Sequence, residues 1–179
     1  LTGTLPAVSG ANLTSLTSGN LTGALPAISG ASLTGVGKVL QVVNATTTSS
    51  ITSSSTSYVT TGLSADITPS STSNKVFIML QGGGGYPTEY AGVTMRVTVY
   101  RDATDLGNGA NGIARYSAPG GAWAIFPHSI GHLDSPSSTS SITYTIYYKN
   151  ADTAGTVQFN TSDRGLPSLT LMEIAGWQI

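Results

Sequence analysis

The segment Leu1-Thr-Gly-Thr-Leu-Pro-Ala-Val-Ser-Gly-Ala-Asn-Leu-Thr14 returns twenty residues later as Leu21-Thr-Gly-Ala-Leu-Pro-Ala-Ile-Ser-Gly-Ala-Ser-Leu-Thr34, with 11 of 14 positions identical. Such a repeat constrains the fold more than composition does, because each copy is a small unit that cannot bury its apolar side chains alone. The spacing of those side chains fits neither a strict period of 2 nor a heptad. Pro6 and Pro26, with Gly3, Gly10, Gly23 and Gly30, oppose a helix. Short extended pieces joined by glycine turns fit better. No residue from Leu1 to Gly37 is charged, so little keeps separate copies apart. Identical chains wrapped about a common axis would bury the leucines, with Leu5, Val8, Leu13, Leu25, Ile28 and Leu33 facing that axis. A disordered linker is the competing reading, but linkers rarely keep regular leucines.

Charge divides the chain further. Lys38 is the one charged residue before Asp66, and no aromatic residue precedes Tyr58. Charged residues make up 8% of the whole, against about 25% in ordinary soluble domains. Hydroxyls fill the gap, with 24 serines and 26 threonines. Seven Lys and Arg against eight Asp and Glu give a net charge of −1, which is no electrostatic footprint for nucleic acid. No apolar run is long enough to insert in a membrane as a helix. With no cysteine, disulfides, thiolate metal sites and cysteine nucleophiles are excluded. Low charge suits a symmetric assembly, in which each charge would face its own copies. The expected division is a shaft over 1–37 and a head over 38–179.

The head reads as all-β. Lys38–Asn44 and Ser57–Leu63 are strand candidates around a Ser/Thr tract, and Lys75–Gln81 is a continuous apolar run, as in a strand covered on both faces. Val93, Met95, Val97 and Val99 alternate with Thr94, Arg96, Thr98 and Tyr100, and Ile142, Tyr144, Ile146 and Tyr148 with Thr143, Thr145, Tyr147 and Lys149. Asn150–Gly155 is a turn leading to Val157–Phe159, which predicts a hairpin, and Ser168–Ala175 is the last strand. Seven or more strands without an amphipathic helix predict a jelly-roll-like antiparallel β-sandwich.

The tandem Leu-Thr-Gly-x-Leu-Pro-Ala-x-Ser-Gly-Ala-x-Leu-Thr units resemble those of tail fibre proteins of tailed bacteriophages, notably marine ones. Gly37–Asn44, Ser57–Leu63, Ile67–Ser73, Leu133–Pro136 and Leu169–Ile174 resemble the distal domain of such fibres, so the resemblance covers most of the chain. It implies a homotrimeric fibre tip carried on the virion by upstream tail fibre or tail proteins. Such a tip touches a receptor on the host surface, glycan or protein. The segment Gly82–Gly131 follows no part of the pattern, and a receptor-facing part is expected to vary.

Chemistry-bearing residues are few. The two histidines, His128 and His132, could form a metal set with Asp134, but Pro127 and Gly131 predict a loop rather than the helix that His-x3-His favours. Nothing positions a base or an oxyanion hole beside Ser129, and the eight acids show no clustered pair, so no enzyme and no cofactor are expected. Gly82–Gly85 predicts a loop between strands, without the Lys-Ser/Thr and helix of a phosphate loop. That loop would present Tyr86, Glu89 and Tyr90, which with Trp123 suit glycan binding through ring faces and nearby acceptors. Asp102, Asp105 and Asn108 lack the alternate oxygens of a calcium loop, which leaves a turn after the Val93–Arg101 strand that could join the contact surface. Arg96 and Glu173 are candidates for a cross-strand pair. The alternative function is purely structural, a fibre or filament subunit whose partners are its own copies.

Overall fold

Alternation of apolar with hydroxylated residues decides most of this fold, because successive side chains of a strand point to opposite faces. The computed structural model describes residues 39–88, 93–117, 125–161 and 165–176. The shaft repeat with Leu5, Val8, Leu13, Leu25, Ile28 and Leu33 lies outside them, as do Glu89, Tyr90 and Trp123. The strands are β1 (Val39–Thr46), β2 (Thr52–Ser53), β3 (Val59–Ile67), β4 (Lys75–Thr88), β5 (Thr94–Arg101) and β6 (Thr104–Asp105). After a 3-10 turn at Gly109–Asn111 come β7 (Ala114–Ser117), β8 (Phe126–Asp134), β9 (Ile142–Asn150), β10 (Thr156–Gln158) and β11 (Ser168–Ile174).

Two antiparallel sheets form. In the first, β11 lies between β1 and β4, and β4 pairs on its other side with β8. In the second, β9 lies between β3 and β5, and β5 pairs on its other side with β7 and β6. Numbered among the eight longer strands, the sheets read 1-8-3-6 and 2-7-4-5. That is a long antiparallel ribbon rolled up, the wiring of a jelly roll. Short β2 and β10 extend the first sheet at the far end of β4.

The two inner faces meet in one core. Val76, Ile78, Leu80, Ile130, Leu169 and Leu171 from the first sheet oppose Leu63, Met95, Val97, Val99, Ile142, Tyr144, Ile146 and Tyr148 from the second. Val157 and Phe159 close one end.

Several expectations are corrected. Val157–Phe159 does not return along β9 as a hairpin, because β10 crosses to pair with β4 and β2. Gly82–Gly85 is a bulged stretch of β4 and not a loop, with φ of +77° at Gly82 and +59° at Gly83 and a register shift against β8. The bulge makes room for the loop before β11, since a Cβ on Gly82 would stand 2.6 Å from the Leu166 carbonyl oxygen. The His128 segment is strand β8, despite Pro127 and Gly131. Arg96 and Glu173 lie in different sheets and do not pair: Arg96 donates to the Asn111 carbonyl, and Glu173 is bound elsewhere.

Glu173 is 1% exposed and forms no ion pair among the described residues. It accepts hydrogen bonds from Gln41 Nε2 (2.8 Å), the Ser70 amide (2.7 Å) and hydroxyl (2.8 Å), and Asn74 Nδ2 (2.5 Å). Burial pushes its carboxyl up, but those donors outweigh it and hold the group below its ordinary 4.5. The fold therefore favours the ionised form. That stabilisation is complete above pH 4.5 and is lost as pH falls below it, because the unfolded chain binds the proton first. Glu173→Gln is expected to cost about 1–2 kcal/mol at pH 7, where its NH2 faces donors. The variant should show a smaller loss of melting temperature between pH 5 and pH 3 than the parent, as read by circular dichroism.

Candidate functional site

The residues that the sequence picked out as chemical are mostly spent on the fold. Asp102, at φ +50°, turns the two-residue hairpin between β5 and β6. Its amide donates to the Thr143 carbonyl and its Oδ1 accepts from the Thr143 amide, which ties the hairpin to β9. Asp105 Oδ1 accepts from Thr98 Oγ1 (2.5 Å) and the Gly107 amide (2.9 Å). Asn108 is exposed and leads into the 3-10 turn without a side-chain cap. Tyr86 pairs through its backbone with Gln158.

His128, His132 and Asp134 occupy alternate inward positions of β8 and so share a face, but they do not converge. At about 3.3 Å per residue, His128 and Asp134 stand roughly 20 Å apart. No group of metal-ligating side chains occurs among the described residues. His128 is buried, stacked on Phe159 at 4.5 Å, with Nε2 2.7 Å from the Phe159 carbonyl oxygen. Burial pulls its imidazole below the ordinary value, so it is a neutral core residue. Asp134 holds Arg101 and the Tyr144 hydroxyl.

What the register does bring together is a set of tyrosines on the outer face of the second sheet. Met95, Val97 and Val99 are fully buried, so Thr98 and Tyr100 of β5 point outward. On β9, Tyr144, Ile146 and Tyr148 are buried, and Thr145 and Tyr147 point outward. Tyr147 lies opposite Thr98 and Thr60, and Tyr100 opposite Thr145 and Asp105. The diagonal Tyr100–Tyr147 pair stacks at 4.2 Å with planes tilted by 36°, and Tyr58 meets Tyr100 edge-on at 6.4 Å. Thr60, Ser64, Thr143 and Thr145 share that outer face with the rings, whereas Thr98 is fully buried and spends its hydroxyl on Asp105. Burial and nearby Asp105 raise Tyr100, and the same causes push Tyr58 up to about 12, so both hydroxyls stay protonated at neutral pH; that of Tyr58 is itself buried without a hydrogen-bond partner. Such a surface can stack the C–H face of a sugar while its hydroxyls find fixed donors and acceptors.

Of the sequence-predicted contact residues that are described, Asp105 alone sits in this cluster, beside Tyr100. Tyr100 and Tyr147 were missed as a site, although the alternation already put both on outward positions. Their meeting depends on which strands pair, and no local pattern carries that.

The outer face of the first sheet is different in kind. Val42 of β1 lies opposite Met172 of β11, Met172 opposite Phe77 of β4, and Phe77 opposite Leu133 of β8. This apolar row crosses four strands, with Val42 57% and Leu133 56% exposed. Leu40, Met79 and Ile174 adjoin it.

No protein-family model matches the chain, and no curated protein matches it. Among solved structures, T=1 particles derived from infectious bursal virus align with 76% of this chain and 36% of theirs, at 13% identity and a TM-score of 0.37. The T13 particle of the same virus gives 76% and 36% coverage, 14% identity and a TM-score of 0.35. The VP2 subviral particle of infectious bursal disease virus gives 76% and 38%, 14% identity and 0.33. The chain thus spans little more than a third of the length of the chains it matches. The assignment as an all-β antiparallel sandwich rests on the hydrogen bonds of this chain.

Proposed function

We propose that this chain is the distal tip of a viral tail fibre, a homotrimer whose β-sandwich heads bind a glycan on the host cell surface without covalent chemistry. One observation carries the reading, the contrast between the two outer faces of the sandwich. The outer face of the first sheet is apolar across four strands, although one side of β4 already faces the core. A strand with apolar side chains on both sides is expected to be covered on both, and a second copy of the chain is the proposed cover. The patch carries no acidic side chain that would repel its own copy. In sequence, its edge strand β1 begins two residues after the repeat 1–37, the proposed trimeric shaft.

The outer face of the second sheet is aromatic and hydroxylated, and it is left for the receptor. Three linked copies of a weak sugar site raise avidity by roughly 10² to 10⁴ without a new contact. A purely structural subunit would share the apolar face but give the tyrosine face no role. The intact chain is expected to bind host cells and a subset of an immobilised glycan array. Tyr100→Ala and Tyr147→Ala should each weaken that binding about tenfold, since stacking on one ring is worth about 1–1.5 kcal/mol. Unchanged binding by both variants, or no binding by the parent to either surface, contradicts the reading.

A further inference from the structure

The row beside the tyrosines on the same outer face is cationic. Arg96 sits between two cross-strand neighbours that are themselves cations, Lys149 on β9 and Arg115 on β7. Met95 and Val97 on either side of Arg96 are fully buried, so Arg96 points outward, and the register places the other two on the same face. With strands about 4.8 Å apart, the three Cα atoms span roughly 10 Å.

Like charges directly opposite one another destabilise a sheet, and among the described residues no carboxylate forms an ion pair with any of the three. The ion pair found among the described residues is Arg101–Asp134. Each member of the row has a neutral partner instead. Arg96 Nη1 donates to the Asn111 carbonyl at 3.2 Å, Arg115 Nη2 donates to Ser117 Oγ at 3.2 Å, and Lys149 Nζ stands 4.5 Å above the Tyr58 ring. Asp105, nearby on this face, is turned to Thr98 and Gly107. The whole chain holds seven Lys and Arg, and three of them stand side by side where the fold alone would be better without them.

We infer that Lys149, Arg96 and Arg115 form an anion subsite, which takes the carboxylate or sulfate of an acidic glycan whose sugar ring lies on Tyr100 and Tyr147. The inference rests on the glycan reading and narrows it to acidic sugars. Arginine presents paired donors that match a planar carboxylate or a sulfate. Nucleic acid is a poorer fit, because its binding sites neutralise about 6–10 phosphates along a backbone, and a cluster this small on a chain of net charge −1 suits one or two anionic groups.

Three polymers of one backbone separate charge from sugar: dextran, carboxymethyl-dextran and dextran sulfate, each immobilised and probed with the intact chain. The two charged forms should bind at least tenfold more tightly than dextran at 50 mM salt, and the preference should shrink as salt rises. Arg96→Gln should abolish the preference while keeping or raising the melting temperature, since it relieves repulsion in the row. Lys149→Gln serves as a second variant should Arg96→Gln fail to fold. Lys75→Gln, on the outer face of the other sheet, should leave the preference intact. A preference that survives both row variants, that is lost equally with Lys75→Gln, or that is exceeded by binding to an oligothymidylate overturns the inference. So does equal binding to all three polymers. The glycan reading falls separately, through the array and the tyrosine variants.

Discussion

Replacing Asp134 with alanine is expected to destabilise the sandwich by about 3 kcal/mol. The carboxylate stands at the end of β8 in the first sheet, is 8% exposed, and ties to two residues of the second. Arg101 Nη1 donates to its oxygens at 2.9 and 2.8 Å, and the Tyr144 hydroxyl donates to Oδ2 at 2.7 Å. Tyr144 is fully buried, and burial and the neighbouring carboxylate hold its hydroxyl protonated well above the ordinary range. Without Asp134 that hydroxyl loses its acceptor, at a cost of about 1–3 kcal/mol. The Arg101 side chain is 25% exposed and can turn to water, so its share is smaller than for a fully buried pair. Tyr144→Phe alone should cost about 1 kcal/mol. The double variant should cost less than the sum, because the alanine has already removed what the phenylalanine would lose. Urea midpoints check this, and a loss below 1 kcal/mol for Asp134→Ala would show that the tie does not hold the sheets together.

Gly82→Ala is expected to cost a similar amount, about 3 kcal/mol, for a reason that a matched control isolates. Gly82 and Gly62 have nearly the same left-handed backbone, with φ of +77° and +72°. An alanine pays the same conformational strain at either, about 1–2 kcal/mol. Their surroundings differ. A Cβ at Gly62 meets nothing within 4 Å, whereas at Gly82 it stands 2.6 Å from the Leu166 carbonyl oxygen, a backbone atom that can yield only by moving the loop before β11. Gly62→Ala should therefore lose about 1 kcal/mol. The difference between the two variants measures how firmly the bulge of β4 is packed under that loop. Equal losses would mean that the loop yields freely.

The sequence was most legible where one strand carries its own pattern. The alternations through Val93–Tyr100 and Ile142–Lys149 became β5 and β9 with the expected residues inside. Pairing was not legible, because it is decided by contacts far apart in the chain. The turn at Asn150–Gly155 signals a reversal but not the partner, so its pattern predicts a return to β9 where β10 crosses to β4. The run at Lys75–Gln81 predicts a strand covered on both faces. Among the described residues the core covers the side of Val76, Ile78 and Leu80 and leaves Phe77 and Met79 half-buried, which makes those two informative about assembly. Four glycines after that run read as a loop, since glycine favours turns and bulges alike and only the Leu166 carbonyl and Pro167 ring packed above them distinguish the two. The candidate site suffered most. Acids and histidines drew attention as scarce chemical groups, yet Asp102, Asp134 and His128 are committed to backbone or core. The tyrosines and cations that do gather come from β5, β7, β9 and the residue before β3, and they meet only through the pairing of those strands.

Hydroxyl-radical footprinting of the intact chain, with and without a glycan selected from the array, tests the division of labour between the two faces most directly. It reads Met172, Phe77, Leu133, Tyr100 and Tyr147 in one experiment. Met172, Phe77 and Leu133 should be protected in the assembled protein at all times, while Tyr100 and Tyr147 react freely and lose reactivity when the glycan is added. That division would be contradicted by free reaction of Met172, Phe77 and Leu133 together with tyrosines that the glycan leaves unchanged.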